Sequence, residues 1–337
     1  MRNRLFRFIA LFLLSLFVLS SCGAPADDSD NTMADDSSAR IEDTGDEKEL
    51  EIYIEREDKE VKNILMIGNS FCYYYVEELC GIAKADGYEL NVANLYKSGA
   101  ALSEHYNSYQ QDTKIATLYL TTSQKRREWG PHTFKEALEF ANERLGGDWD
   151  VISLQGNSYY AWLGDLEQHT SKNLPYAKTL YAYIRETHPE ASLYWHQMWA
   201  YEVGYNQGEN KQVKTIEHRT SMYEIRKAAS YAVAEATGVR IMPTGDAWEI
   251  ARKSDIVGTT LCQRLGVNGD EGDYYHDGDI GGGQYLNACV WYEVLMGKSC
   301  VGNTWRPKYE LSEEKIAILQ AAAHEAVAAV YGPGYAK

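Results

Sequence analysis

From residue 61 onward the chain alternates short apolar runs with stretches of helical spacing. Ile64 to Ile67, bounded by Gly68, predicts a first strand, and Tyr73 to Ala85 a helix. Glu89 to Leu95 predicts a second strand, closed by Ser98-Gly99-Ala100-Ala101. The region 103–130 is polar and irregular, with TLYLTTSQKRREW as a hairpin or an excursion. Phe134 to Leu145 carries Phe134, Ala137, Leu138 and Ala141 on one helical face and stops at Gly146-Gly147. Trp149 to Leu154 is a continuous apolar run of the kind buried on both faces of a parallel sheet. A helix over Leu174 to Thr187, a strand over Ser192 to Met198, a helix from Glu217 to Thr237 and a strand over Val239 to Met242 follow. Loops rich in glycine and acidic residues come next, and helices over Gln284 to Met296 and Glu313 to Tyr331 close the chain.

Five strands separated by helices predict an α/β fold, a central parallel sheet of about five strands with helices on both faces. In such sheets ligands bind outside the C-terminal ends of the strands. The exits are Gly68-Asn69-Ser70, Ser98-Gly99, Gln155-Gly156-Asn157-Ser158, Gln197-Met198-Trp199 and Gly245-Asp246, all rich in hydrogen-bonding groups. No repeat or linker interrupts residues 61–337, which read as one domain.

The N-terminus changes the picture only at its own end. Arg2, Arg4 and Arg7 precede an apolar stretch from Phe8 to Val18 and then Leu19-Ser20-Ser21-Cys22, a pattern resembling a bacterial lipoprotein signal over residues 1–22. That resemblance implies acylation of Cys22 and a lipid-anchored protein of the cell envelope, facing the exterior or the periplasm. Residues 23–60 carry 15 Asp or Glu against 4 Lys or Arg, the composition of a flexible acidic tether. Of the chain's net charge of −16, only −8 belongs to residues 61–337, and no basic cluster marks a nucleic-acid surface. The cysteines at 72, 80, 262, 289 and 300 form neither a disulfide framework nor a zinc set. Cys72 and Cys80 lie two turns apart on one helix, too far to bridge, while one disulfide among the other three stays open.

Two stretches carry candidate chemistry. Ser70 follows a strand and a glycine, a common way to present a hydroxyl at a sheet edge, although many such serines only cap a helix. Asp273-Tyr-Tyr-His276 offers a carboxylate and an imidazole three residues apart, the two partners a serine nucleophile needs; a turn-capping aspartate beside a loop histidine is the bland alternative. The Gly-x-Ser-x-Gly elbow is absent, since Phe71-Cys72 follows Ser70. ILMIGNSF, a glycine after the second strand, a Gln-Gly-Asn loop after the third, and the late Asp-x-x-His resemble the SGNH (GDSL-type) hydrolase superfamily. The Gly68-Asn69-Ser70-Phe71 block, WDVISLQ and HDGDIGGGQYLNACVWYEVLMG resemble a bacterial lipoprotein branch of it, over about residues 64 to 297. The resemblance implies a flavodoxin-like three-layer α/β/α sandwich and metal-free, cofactor-free ester hydrolysis. It implies Ser70 as nucleophile, His276 as base, Asp273 as its orienting group, and the Ser70 and Gly99 N–H groups in the oxyanion hole. For the third donor, Gln155-Gly156 resembles the Trp-x-Gln-Gly segment of sialate O-acetylesterase relatives, which puts Gln155 first and Asn157 second.

Ser158 also sits in Gly-Asn-Ser but after the wrong strand, and His196, inside an apolar strand, reads as a hydrogen-bonded core residue. Aromatic residues crowd the exits, among them Tyr73 to Tyr75, Tyr159, Trp199 and Tyr274; of these, Tyr159, Trp199 and Tyr274 are candidates to line a sugar site. The absence of an arginine cluster disfavours a strongly anionic substrate. The sequence therefore supports a serine esterase removing O-acyl groups, O-acetyl foremost, from a small molecule or glycan. The alternative is an inactive glycan-binding lipoprotein on the same scaffold.

Overall fold

The computed structural model describes residues 61–157, 170–203, 205, 213–254, 282–308 and 311–337. The signal segment, the acidic tether and Cys262 lie outside them. Strand β1 (Asn63–Gly68) and strand β5 (Val151–Gln155) are buried at every position, as their unbroken apolar sequences require, and they lie side by side in the middle of the sheet. Strands β2 (Asn91–Tyr96), β6 (Ser192–His196) and β7 (Arg240–Met242) complete a parallel set. The antiparallel strands β3 (Ala116–Thr121) and β4 (Arg126–His132) extend it beyond β2. The order across the seven strands is β4-β3-β2-β1-β5-β6-β7. Within the parallel set this is the doubly wound 2-1-3-4-5 order, with its switch point between β1 and β5. The expected parallel strands are present; the irregular region 103–130 turns out to supply the hairpin, whose edge strand β4 holds Pro131 where a missing N–H does least harm.

Alternation along β1 sends Ile64 and Met66 to one face and Leu65 and Ile67 to the other, where each pair joins a separate core. Helices α1 (Val76–Ala85), α6 (Thr244–Ala251), α7 (Gly283–Met296) and α8 (Glu313–Tyr331) build the first core. Helices α2 (Leu102–Gln111), α3 (Phe134–Arg144) and α4 (Leu174–Thr187) build the second. Helix α5 (Ile216–Thr237) contributes Met222 to the first and Val233 and Ala234 to the second. The result is three layers, α/β/α.

Two helices were not legible. Helix α2 buries Leu102, His105 and Ser108, a core-facing stripe mostly of polar residues that apolar periodicity passes over. Helix α6 follows Pro243-Thr244-Gly245, which reads as a turn, and it is buried almost all round, so no amphipathic stripe exists. Where capping chemistry is conventional the boundary is sharp: at α3 the Thr133 side chain accepts from Glu136 N–H (3.1 Å) and Glu136 accepts from Thr133 N–H (2.9 Å). Cys72, Cys80, Cys289 and Cys300 are all buried free thiols.

Because β5 is an interior strand beside the central β1, Ile152→Ala, at a fully buried position, is expected to lower unfolding stability by about 2–5 kcal/mol. Exposed Lys125→Ala should stay within about 0.5 kcal/mol of wild type. Urea denaturation followed by circular dichroism reads both; equal losses would contradict the placement of β5.

Candidate active site

Chain leaving β1 turns at once through Asn69 into a single helical turn, Ser70–Cys72. The Asn69 side chain is 2 % exposed, and every polar atom on it is used. Its Oδ1 accepts from Phe71 N–H (3.1 Å) and from Gln155 Nε2 (2.6 Å). Its Nδ2 donates to Ala100 O (2.9 Å) and, at the limit of reach, to Gly156 O (3.5 Å). One carboxamide therefore ties the exit of β1 to those of β2 and β5. A second tie runs from Asn157 Nδ2 to Gly99 O at 2.5 Å.

Glycines permit this closeness. A Cβ on Gly68 would stand 2.4 Å from Gln155 Cγ, so the Gln155 side chain crosses directly over the β1 backbone to reach Asn69. Gly99 sits at φ +65°, the left-handed region, with open space where a Cβ would be. Ser70 itself is half-buried, and among the described residues its hydroxyl has no hydrogen-bond partner.

Behind Gln155 lies a buried relay. His196 Nδ1 is 3.3 Å from Gln155 Oε1, and its Nε2 is 2.9 Å from Thr244 Oγ1. Since Asn69 fixes the Gln155 amide with its nitrogen towards Oδ1, Oε1 faces the imidazole. Burial pushes the His196 pKa down to about 3, which keeps the ring neutral and makes it a structural partner, not a base. On the other side of β1, buried His105 donates from Nε2 to Gly68 O (3.0 Å), and burial lowers its pKa to about 4.

The floor of the turn is aromatic. Phe71 lies 4.5 Å from Trp199 and 5.8 Å from Tyr201, ring centre to ring centre, and Trp199 stacks on Trp248 at 4.7 Å and 5°. Trp199, expected among the substrate-lining residues, is 1 % exposed, so it supports the Ser70 turn from below and does not line a surface. The irregular chain after β6 is held by buried arginines that the sequence did not single out. Arg226 donates to Trp199 O and Arg252 to Ala200 O (2.9 Å), which satisfies carbonyls that no sheet or helix pairs.

Of the residues expected to form the site, Gln155 bonds Asn69, the residue before Ser70, and Asn157 bonds Gly99, while Ser70 itself stands beside these bonds on the turn. Asp273, His276, Tyr159, Tyr274 and Cys22 lie outside the described residues, as does the rival Ser158. Gln155 and Asn157 differ in kind: the first is 1 % exposed with both ends of its amide engaged, the second is half-buried at the rim. Sequence reasoning missed the central role of Asn69; its signal was a side-chain amide directly between a strand-ending glycine and the serine.

A doubly wound sheet with this polar constellation at its switch point defines an α/β protein whose β1, β2 and β5 exits stand where open sheets of this kind bind ligands. The chain belongs to the DUF4886 family, described as a domain of unknown function, whose model matches residues 63–326. A crystal structure of a DUF4886 family protein from Bacteroides uniformis ATCC 8492 is 27 % identical, with 80 % of this chain and 95 % of that one covered and a TM-score of 0.66. A GDSL-like lipase structure from Parabacteroides merdae ATCC 43184 is 14 % identical over 71 % of this chain and 97 % of that one, with a TM-score of 0.42. Phospholipase A1 from Streptomyces albidoflavus NA297 is 12 % identical over 70 % and 99 %, with a TM-score of 0.36. No curated protein matches the chain in sequence.

Both buried histidines take up their proton far more readily once unfolded, near pH 6.5, than in the native state, near pH 3 to 4. Below pH 6.5 the unfolded chain binds the extra protons, so native stability falls as pH drops towards about 4, by at most about 1.4 kcal/mol per pH unit for each histidine. Urea midpoints between pH 7 and 4 should follow this slope, and His105→Gln should flatten it; an unchanged slope in that variant would contradict the assignment.

Proposed function

We propose that the chain is a serine esterase that removes O-acyl groups, O-acetyl foremost, from carbohydrate. The observation that carries the reading is the position of Ser70, on a tight turn at the switch point and one residue beyond the amide that holds the β2 and β5 exits beside it. The ordered four-block resemblance to SGNH hydrolases supports the same assignment. Ser70 Oγ attacks the acyl carbon while its proton passes to His276, oriented by Asp273. His276 returns the proton to the sugar oxygen as the ester bond breaks, and water, deprotonated by the same imidazole, then releases the acid from the acyl-serine. The tetrahedral oxyanion is held by the Ser70 and Gly99 N–H groups, with the Asn157 side chain as third donor. Asn157 is preferred to Gln155 because it stands at the rim while Gln155 is spent on Asn69 and His196. The resemblance of residues 1–22 to a lipoprotein signal ending at Cys22 supports a cell-envelope location in the same reading.

Hydrolysis of a small acetyl ester tests it. Ser70→Ala is expected to abolish turnover, and Asn157→Ala to lower kcat by about 10²–10³ with the fold intact. Gln155→Ala is expected to destabilise the protein by about 1–3 kcal/mol, since it strands the partners of a buried amide. Wild-type turnover by Ser70→Ala would sink the proposal, and a selective kcat loss in Gln155→Ala with unchanged stability would move the third donor back to Gln155.

A further inference from the structure

Aromatic surface does not stop at the Ser70 turn. Tyr73, half-buried, stacks on Tyr96 at the end of β2 (4.5 Å, 27°) and meets Tyr119 of β3 edge-on at 5.0 Å. The Arg126 guanidinium lies 4.2 Å over the Tyr73 ring and is held there by bonds to Tyr73 O (2.8 Å) and Thr121 Oγ1 (3.1 Å). Past Arg126, between α1, the β3–β4 turn and the chain leading to α8, opens a cavity of about 240 Å³ lined by Glu77, Glu78, Gln124, Trp305 and Lys308, among others. Trp305 rests directly on α1: a Cβ on Gly81 would stand 2.1 Å from its Nε1. Its other support is Tyr285, parallel at 8° and 6.0 Å.

The chemistry of this track is specific. Its flat rings are half exposed, while its charges are of both signs and partly neutralise one another, with Lys308 3.5 Å from Glu77. That combination offers stacking faces together with many donors and acceptors and no net demand for an anion. It also lacks the greasy side-chain pocket that anchors a peptide. The cavity is smaller than the roughly 300–1,000 Å³ of a drug-sized site, as suits one ring of a longer chain.

We propose that the surface from Tyr96 and Tyr73 through Arg126 to the Trp305 cavity is an extended subsite for a polyhydroxylated chain, an oligosaccharide several units long, whose ester reaches Ser70. This rests on the carbohydrate-ester reading above. Sugar rings stack on Tyr96 and Tyr119 and meet the exposed edge of Trp305, and Glu78, Gln124 and Arg126 bond their hydroxyls.

Calorimetric titration of the full chain carrying Ser70→Ala tests it without any turnover. The probes are O-acetylated xylan-, mannan- and chitin-derived oligosaccharides, from the monosaccharide to the hexasaccharide. Affinity for at least one series is expected to rise about tenfold or more with length. Trp305→Ala and, on the exposed turn, Gln124→Ala are each expected to weaken the longest probe severalfold, with circular dichroism unchanged. Lys178→Ala, on the opposite face of the sheet, should bind as the parent does. Length-independent or absent binding in all three series, or loss of a proline-rich peptide's binding in place of a sugar's in these variants, overturns the proposal. Separate ester assays of wild type and Ser70→Ala read the esterase reading alone, so either claim can fail without the other.

Discussion

A single buried carboxamide, that of Asn69, sets the geometry on which the rest of the site depends. A primary amide has an acceptor for two hydrogen bonds and two hydrogens to give, and here all four are committed within 3.5 Å to the exits of three different strands. The parallel registers bring those exits level: Gly68 pairs with Tyr96, and Ile67 with Leu154. Among common side chains only glutamine carries the same carboxamide, one methylene further from the backbone. A carboxylate would face the Ala100 and Gly156 carbonyls with nothing to donate, and a leucine would leave buried groups unsatisfied. The Ser70 turn therefore inherits its position from the sheet, and the rigid scaffold passes that position to a hydroxyl at the surface.

Two further layers keep the constraint in place. Below, Phe71, Trp199 and Trp248 form a dry aromatic pile that fixes the turn without using polar groups. Beside it, Arg226 is wholly buried, its pKa lowered to about 10 by that burial, and its guanidinium caps Trp199 O while lying 4.7 Å over Tyr201. These arginines were invisible as a group because they are scattered along α5 and the end of α6. Their work is to satisfy backbone, which removes the need for an anionic substrate to explain them.

Much of the fold was legible because its central strands are buried on both faces and its long helices have clear stripes. The limits of α4 and α8 follow directly from apolar spacing, Pro175 and the Ser312 cap. What was not legible had a physical reason. Helix α2 turns polar residues to the core and α6 has no exposed face, while the hairpin β3–β4, half-exposed with only partial alternation, could be read only as one of two alternatives. For the site, Ser70 and Gly99 could be read from glycine-bounded exits. The resemblance put Gln155 ahead of Asn157; with Gly156 between them, strand alternation does not separate the two, and only the packing tells which is spent inside. Trp199 misled for the same reason: an aromatic residue near a strand end is as well suited to a floor as to a rim.

Covalent labelling bears most directly on the central claim, that the Asn69-anchored turn presents a reactive serine. The full chain treated with a fluorophosphonate, digested and mapped by mass spectrometry, is predicted to carry one adduct, on Ser70, and to lose it in Asn69→Ala. An adduct on Ser158 with Ser70 unmodified, or labelling of Ser70 undiminished in Asn69→Ala, would contradict the account.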